Sequence, residues 1–234
     1  MSTPKKVVMV SGSNKGIGKA ITETLLENGF KVSLGVRDNT KATFSNNDDV
    51  LVTYYDAMDK NAPKEWVART VERFGRIDGL VNNAGIVEFV GIEEGTEEDL
   101  QQMLEVNAIA PWRLTRAVFP FLKTSEGRIV NINSTSGHRV RVPKLGGYAM
   151  SKFAANALHK LTVSEGWDYG IRATAIHPAF VDTTMIDPVV GKDRPEAILQ
   201  PSDIAKAVLF ALTQDHKFSH VNQITVSAES NIDF

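Results

Sequence analysis

The chain has 234 residues, 42% of them hydrophobic and 23% charged, which suits one α/β domain with a substantial core. A formal net charge of −2 supplies no basic field, so neither nucleic acid nor an anionic membrane is expected as a partner. Cysteine is absent, which excludes disulfides, thiol nucleophiles and thiolate metal sites, and the five histidines match no common ligand spacing, so no metal is expected. The polar opening MSTPKK does not read as a signal peptide, and no run approaches the roughly 20 apolar residues of a membrane span; a cytoplasmic protein is the expectation.

Val7-Val8-Met9-Val10 is a continuous apolar run of the kind that forms a strand buried on both faces. It feeds Ser11-Gly12-Ser13-Asn14-Lys15-Gly16-Ile17-Gly18, then an amphipathic segment from Lys19 to Glu27 that Asn28-Gly29 should stop. The glycines therefore stand between a strand and a helix N-terminus, where unpaired N–H groups and the helix dipole attract phosphate. Their spacing is Gly-x-x-x-Gly-x-Gly, not the Gly-x-Gly-x-x-Gly dinucleotide fingerprint. Lys31 to Val36 reads as a second strand, ending at Arg37. An acidic residue at that place takes the ribose hydroxyls of NAD, whereas an arginine accommodates the 2′-phosphate of NADP. Arg37, helped by Lys15 in the glycine loop, favours NADP(H); Asp38 follows directly and pulls the other way.

A third strand, Leu51 to Tyr55, delivers Asp56 and Ala57, a carboxylate and a backbone amide that can meet an adenine edge. Asn61 to Phe74 is helical in pattern. Leu80-Val81 is a fourth buried strand running into Asn82-Asn83-Ala84-Gly85, good turn chemistry at the C-terminal edge of a sheet. Thr96-Glu97-Glu98-Asp99 starts a helix that continues through Asn107, and Pro111 should kink it or interrupt its hydrogen bonding. Asn107 in a helix interior goes against propensity, so it either faces solvent or works through its side chain and a freed carbonyl. Arg128 to Asn133 is the fifth strand and delivers Ser134. Gly137 to Gly147 is a basic loop, Tyr148 to Glu165 a helix, and Ile171 to His177 a sixth strand ending at Pro178-Ala179-Phe180-Val181-Asp182-Thr183. Ser202-Asp203 should cap a helix reaching Thr213, Gln223 to Val226 is a last strand, and Ser227 to Phe234 is a tail. No repeat or linker divides the chain, so residues 1–234 are expected to form a single domain.

Tyr148 and Lys152 stand four residues apart and share one helix face. An ammonium close to a phenol favours the phenolate, lowering the tyrosine from its usual value of about 10 towards neutrality. Such a tyrosine serves as general acid to a carbonyl oxygen or general base to an alcohol, and a serine hydroxyl can hold the same oxygen from another side. Ser134, Thr135 and Ser136 stand in a row; the rigid strand before them selects Ser134.

The ordered set closely resembles the short-chain dehydrogenase/reductase family over nearly the whole chain. It comprises the glycine motif with Ser11 where threonine is usual, Asn82-Asn83-Ala84-Gly85, Asn107, Ser134, and Tyr148 with Lys152. The resemblance implies a Rossmann-like, doubly wound parallel sheet of about seven strands with helices on both faces. It implies NADPH-dependent reduction of a ketone or aldehyde, in which Tyr148 transfers the proton, Ser134 polarises the oxygen, Lys152 tunes the tyrosine and binds nicotinamide ribose, and Asn107 holds a relay water. The cofactor would lie on Gly12, Ser13, Asn14, Lys15, Gly16, Ile17 and Gly18, on Arg37, Asp56 and Ala57, and on Asn83, Ala84 and Gly85. Pro178, Val181 and Thr183 would take the carboxamide end. The rival readings are an NAD-dependent alcohol dehydrogenase and a non-catalytic NADP(H)-binding regulator. A homodimer or homotetramer is implied, built on the helices bearing Asn107 and Tyr148. The chain departs from the family pattern in Ala179 for the usual glycine, in a basic loop one residue longer than common, and in Ser227-Ala228-Glu229-Ser230 for the usual Asp-Gly-Gly. His138, Arg139 and Arg141 near Ser134 read first as a solvated basic loop, and second as a site for a small-molecule substrate carrying negative charge or several polar groups.

Overall fold

Each apolar run becomes a strand of one parallel sheet. The strands are β1 (Val7–Ser11), β2 (Lys31–Val36), β3 (Val50–Tyr54), β4 (Gly79–Asn82), β5 (Arg128–Ile132), β6 (Arg172–Pro178) and β7 (Gln223–Val226). Their spatial order is β3-β2-β1-β4-β5-β6-β7, and every pairing is parallel. This computed structural model describes residues 4–38, 44, 47–191, 194, 196–214 and 219–228. The expected tail therefore lies outside the described residues from Glu229 onward.

Parallel neighbours need crossover connections, and these put helices on both faces of the sheet. One face packs under α1 (Gly16–Glu27) and α7 (Pro201–Leu212), which bury Ile21, Leu25, Ile204 and Val208 against Val8, Val10 and Val130. The other packs under α2 (Ala62–Phe74) and α4 (Ala110–Ser125), with Trp66, Leu114, Val118 and Leu122 against Met9, Leu80 and Ile129. The remaining helices are α3 (Glu97–Leu104), α5 (Gly146–Gly166) and the short α6 (Asp187–Val190). Gly35 on β2 is required by packing: a β-carbon there would sit 2.6 Å from the Trp66 ring. The indole rests on that bare backbone and donates from Nε1 to Ser33 Oγ at 2.8 Å.

One local expectation is corrected and a second takes a particular form. Gln200, not Ser202-Asp203, is the N-cap of α7; Pro201 takes the first helical position, and the Asp203 carboxylate accepts the Gln200 N–H at 2.9 Å. The helix through Asn107 has its α-helical hydrogen bonding interrupted ahead of Pro111, as expected. Glu105–Ile109 widens into one π-helical turn, with the Ala110 N–H reaching back to the Glu105 carbonyl, and α4 then continues. A π-turn absorbs one extra residue, so it re-aims Asn107 without breaking the helix.

The order places β1 beside β4 while their connections leave in opposite directions, towards β2 on one side and β5 on the other. A crevice must open at that switch point, outside the strand C-termini. Among the described residues no helix is long and apolar enough to cross a membrane.

Candidate active site

The crevice is a cleft of about 600 Å³ running along the C-terminal ends of the strands. Its floor begins at the glycine loop. Gly18 lets the loop close: a β-carbon there would lie 2.2 Å from the Gly12 carbonyl and 2.6 Å from Asn83 Nδ2. The loop is also wired to the end of β4. Ser11 Oγ accepts the N–H groups of Asn83 and Ala84, both at 3.0 Å, while Asn83 Nδ2 donates to the carbonyls of Ser11 and Gly12 at 2.9 and 3.0 Å. Helix α1 opens over this floor with no acidic residue in its first turn and no side-chain cap, so its N–H groups and dipole face the cleft uncompensated.

Most residues picked from sequence meet here. Gly12, Asn14, Lys15, Gly16, Ile17, Gly18, Arg37, Asp56, Ala57, Asn83, Ala84, Gly85, Ser134, Tyr148, Lys152, Pro178, Val181 and Thr183 all line the cleft. Ser13 does not; it is fully buried beneath the loop, and its hydroxyl has no partner among the described residues. Asn107 lies behind the wall. Its Oδ1 accepts the Ile86 N–H, and its Nδ2 donates to the Ile86 carbonyl and to Ser151 Oγ, all at 2.9 Å. The side-chain amide is thus fully committed to structure. Its backbone carbonyl is the one that Pro111, lacking an N–H, cannot serve in α-helical register. Ser151 passes the restraint on, donating to the Tyr148 carbonyl at 2.7 Å.

Tyr148 and Lys152 do share one face of α5, with Nζ 5.7 Å from the tyrosine ring centre. Burial, however, pushes the Tyr148 hydroxyl up to about 12, opposed only by its hydrogen bond to Ser134. The expected lysine-lowered phenol is not what the protein alone presents, because desolvation outweighs that hydrogen bond and Lys152 is not among the groups that lower it. Burial also pulls Lys152 down to about 8. Its Nζ donates to the Ile132 carbonyl at 3.2 Å. Ser134 is held by the turn that follows it, its Oγ accepting the Ser136 N–H at 3.1 Å. That leaves the serine proton to point at Tyr148 or at a bound oxygen.

Sequence reading missed several parts of the wall. Ile86, Val87, Gln102, Val106, Val142 and Leu145 form a largely apolar side near Tyr148. Position along the edge was the available signal for Ile86 and Val87, since they follow Gly85 directly. Arg139 and Arg141 line the cleft, but His138 does not; its ring packs on His177, 4.1 Å between centres. The segment after β6 folds over the cleft with Met185, Ile186 and Val189, pinned where Arg194 pairs with Asp182 and Asp187. No group of three His, Asp or Glu side chains that could hold a metal ion occurs among the described residues.

Residues 6–193 match the short chain dehydrogenase family, and the chain belongs to the short-chain dehydrogenase/reductase family. It is 40% identical over 219 residues to an agropine synthesis reductase of Rhizobium rhizogenes, covering 90% of this chain and 50% of that protein. The chain thus spans about half the length of the curated relatives of that name. It is 36% identical to an uncharacterized oxidoreductase of Staphylococcus saprophyticus, over 94% of this chain and 96% of the relative. Among solved structures, an alcohol dehydrogenase from the archaeon Thermococcus sibiricus complexed with 5-hydroxy-NADP superposes with a TM-score of 0.87 and 28% identity, covering 98% of this chain and 99% of the other.

The buried lysine sets a testable trade-off. An unfolded chain protonates Lys152 near 10.5, the folded one near 8. Between those values the unfolded state binds more protons, so stability should rise with pH across that window, and below it the full penalty applies. Lys152→Met should therefore melt higher than the parent at pH 7, by up to about 3 kcal/mol before the lost bond to Ile132 is deducted, and the gap should close towards pH 10.5. Denaturant titrations of both proteins at pH 7 and 10 measure it; a methionine variant less stable at pH 7 would refute the account.

Proposed function

We propose that this chain is an NADPH-dependent carbonyl reductase acting on a ketone or aldehyde. The observation that carries the reading is the hydrogen-bonded pair of Tyr148 and Ser134 at the cleft wall, with the tyrosine held in its protonated form. A phenol pushed up to about 12 keeps its proton at neutral pH and is a weak acid, so it gives the proton only as alkoxide charge develops on the bound oxygen. When bound, the dinucleotide supplies the hydride that goes to the carbonyl carbon. Ser134 donates a hydrogen bond to the carbonyl oxygen, and Tyr148 transfers its proton there as charge develops. Lys152, buried beside the phenol, stabilises the phenolate left behind and offers its ammonium to a ribose hydroxyl. The carbonyl of Asn107, which Pro111 cannot serve, would hold a water for reprotonation.

The glycine floor, the open N-terminus of α1 and the size of the cleft fit a dinucleotide. Arg37 and Lys15 on its wall support NADP(H), the 2′-phosphate gaining a charge-assisted contact that NAD cannot make. Arg139 and Arg141 on the opposite wall support a substrate with an anionic group, and the apolar side favours a hydrophobic body.

Tyr148→Phe should cut turnover by about 10²–10⁴-fold while NADPH binding, read by fluorescence titration, stays within about twofold. The assay is NADPH consumption over ketones, aldehydes, quinones and 3-oxoacyl thioesters, with matched neutral and anionic members. Full activity in the phenylalanine variant would mean another group gives the proton.

Arg37→Asp should reverse or abolish cofactor preference. Equal affinity of the parent for NADP and NAD in thermal-shift titrations would end the NADP assignment.

The same family logic supports a homo-oligomer. Trp112 on α4 and Met150, Phe153 and Leu161 on one face of α5 are exposed apolar side chains that a second copy would cover. Light scattering should give a dimer or tetramer at micromolar concentration; a monomer would leave these faces without that explanation.

A further inference from the structure

We infer that His177 is a positioning residue for Ser134, anchoring the turn that carries the serine to the neighbouring strand. The inference rests on the catalytic reading above, and it concerns a residue with no part in proton or hydride transfer. His177 lies on β6, one residue before its end, and is fully buried.

The ladder between β5 and β6 ends at Ile132 and Ile176, with one further bond from the Asn133 N–H to the Ile176 carbonyl at 2.8 Å. Ser134 is therefore the first residue to leave the sheet. Its carbonyl receives two N–H groups. One is local, from Gly137 at 2.9 Å, and closes the turn on itself. The other is His177 Nδ1 at 3.1 Å, and it alone of the two ties the turn to β6.

A carbonyl only accepts, so Nδ1 must carry the proton and Nε2 must be bare. Nε2 is indeed buried with no partner among the described residues. The groups that bear on the ring are His138 packed against it at a tilt, His159 and Lys152, all of them bases. Burial first, and these bases after it, keep the imidazole neutral, down to about 4, so its single proton stays on Nδ1 and Nε2 stays bare. The ring also supports His138, the first residue of the basic wall. One side chain thus sets the height of Ser134 and seats the base of the segment bearing Arg139 and Arg141. A displacement of about 1 Å at the oxygen-binding hydroxyl is enough to cost on the order of 10²-fold in rate.

The test compares His177→Asn, whose amide nitrogen can replace the Nδ1 donor, with His177→Phe, which keeps a ring and loses the donor. The phenylalanine variant should lose about 10–100-fold in kcat with NADPH affinity within about twofold. The asparagine variant should recover most of that loss. Nitrogen NMR of the labelled parent at pH 7 should show the His177 proton on Nδ1 and a bare Nε2. Full kcat in the phenylalanine variant, a proton on Nε2, or equal loss in both variants would each overturn the inference. Failure of the parent to reduce any carbonyl would overturn the proposed function and this inference with it; a working parent beside a fully active phenylalanine variant overturns the inference alone.

Discussion

The whole cleft hangs from the junction where β1 and β4 end side by side. Two strands that diverge afterwards leave a gap with backbone groups on both sides, and those groups must be paired or solvated. The chain pairs them across the gap. Ser11 Oγ takes two N–H groups from the Asn83-Ala84 turn, and Asn83 Nδ2 returns two bonds to the Ser11 and Gly12 carbonyls. Gly18 then presses against the same carbonyl and the same amide, which is why no side chain fits there. Asn83 is accordingly a clamp whose own amide is occupied, and what faces a ligand is the bare backbone it positions. The glycine floor and the fourth strand become one rigid body, from which the helix dipole of α1 is aimed.

A second clamp repeats the device on the catalytic side. Asn107 holds Ile86 at both its N–H and its carbonyl, then reaches Ser151, which holds the carbonyl of Tyr148. The wall after Gly85 and the helix bearing the tyrosine are thereby fixed to one amide. Such an amide must leave the α-helical line to reach both, and the π-turn at Glu105–Ile109 provides the change of direction. Local helical regularity is given up for alignment of the site. The buried Lys152 belongs to the same bargain, since an ammonium pulled down to about 8 opposes folding at neutral pH, a cost that the proposed reaction would explain.

The sheet was legible because its inner strands, Val7–Ser11 and Gly79–Asn82 above all, are buried on both faces and read as short apolar runs, while the edge strands β3 and β7 are only partly buried. Lys31–Val36 and Gln223–Val226 were placed to the residue, and the others within one or two positions. The cleft was legible because its parts follow strand ends in order, so position along the chain stood in for position in space. Hydrogen-bond direction was not legible. Nothing in the run Val106-Asn107-Ala108 says that the amide is spent on Ile86 and Ser151, and nothing in Ser13 says that it faces inward. The electrostatics of Tyr148 also escaped, because spacing reports the lysine's proximity but not how completely the fold removes water from the phenol. His177 escaped for a related reason: a histidine at a strand end carries no motif, and its bond to Ser134 exists only once β5 and β6 are in register.

The departures from the family pattern fall where the backbone tolerates them. Ala179 sits without a left-handed φ, so the usual glycine's freedom is not needed at that position. Its N–H is paired to the Val226 carbonyl at 2.9 Å, which extends the β6–β7 ladder by one bond. The longer basic loop is absorbed by two short 3-10 turns, Thr135–Gly137 and Pro143–Leu145, which give its backbone local partners before α5 begins. The Gly147 N–H meets the Val90 carbonyl at 2.8 Å, and Lys144 lies 3.6 Å from Glu94, so the loop leans on the segment after β4 instead of reaching over the tyrosine. Extra length therefore raises a basic rim beside the cleft while the register between Ser134 and Tyr148 is kept by the strand on one side and the helix on the other. Under the proposed function the proton-transfer pair sits on the strand end and the helix, the substrate-facing rim lies on the loop between them, and the His177 ring is where the two meet.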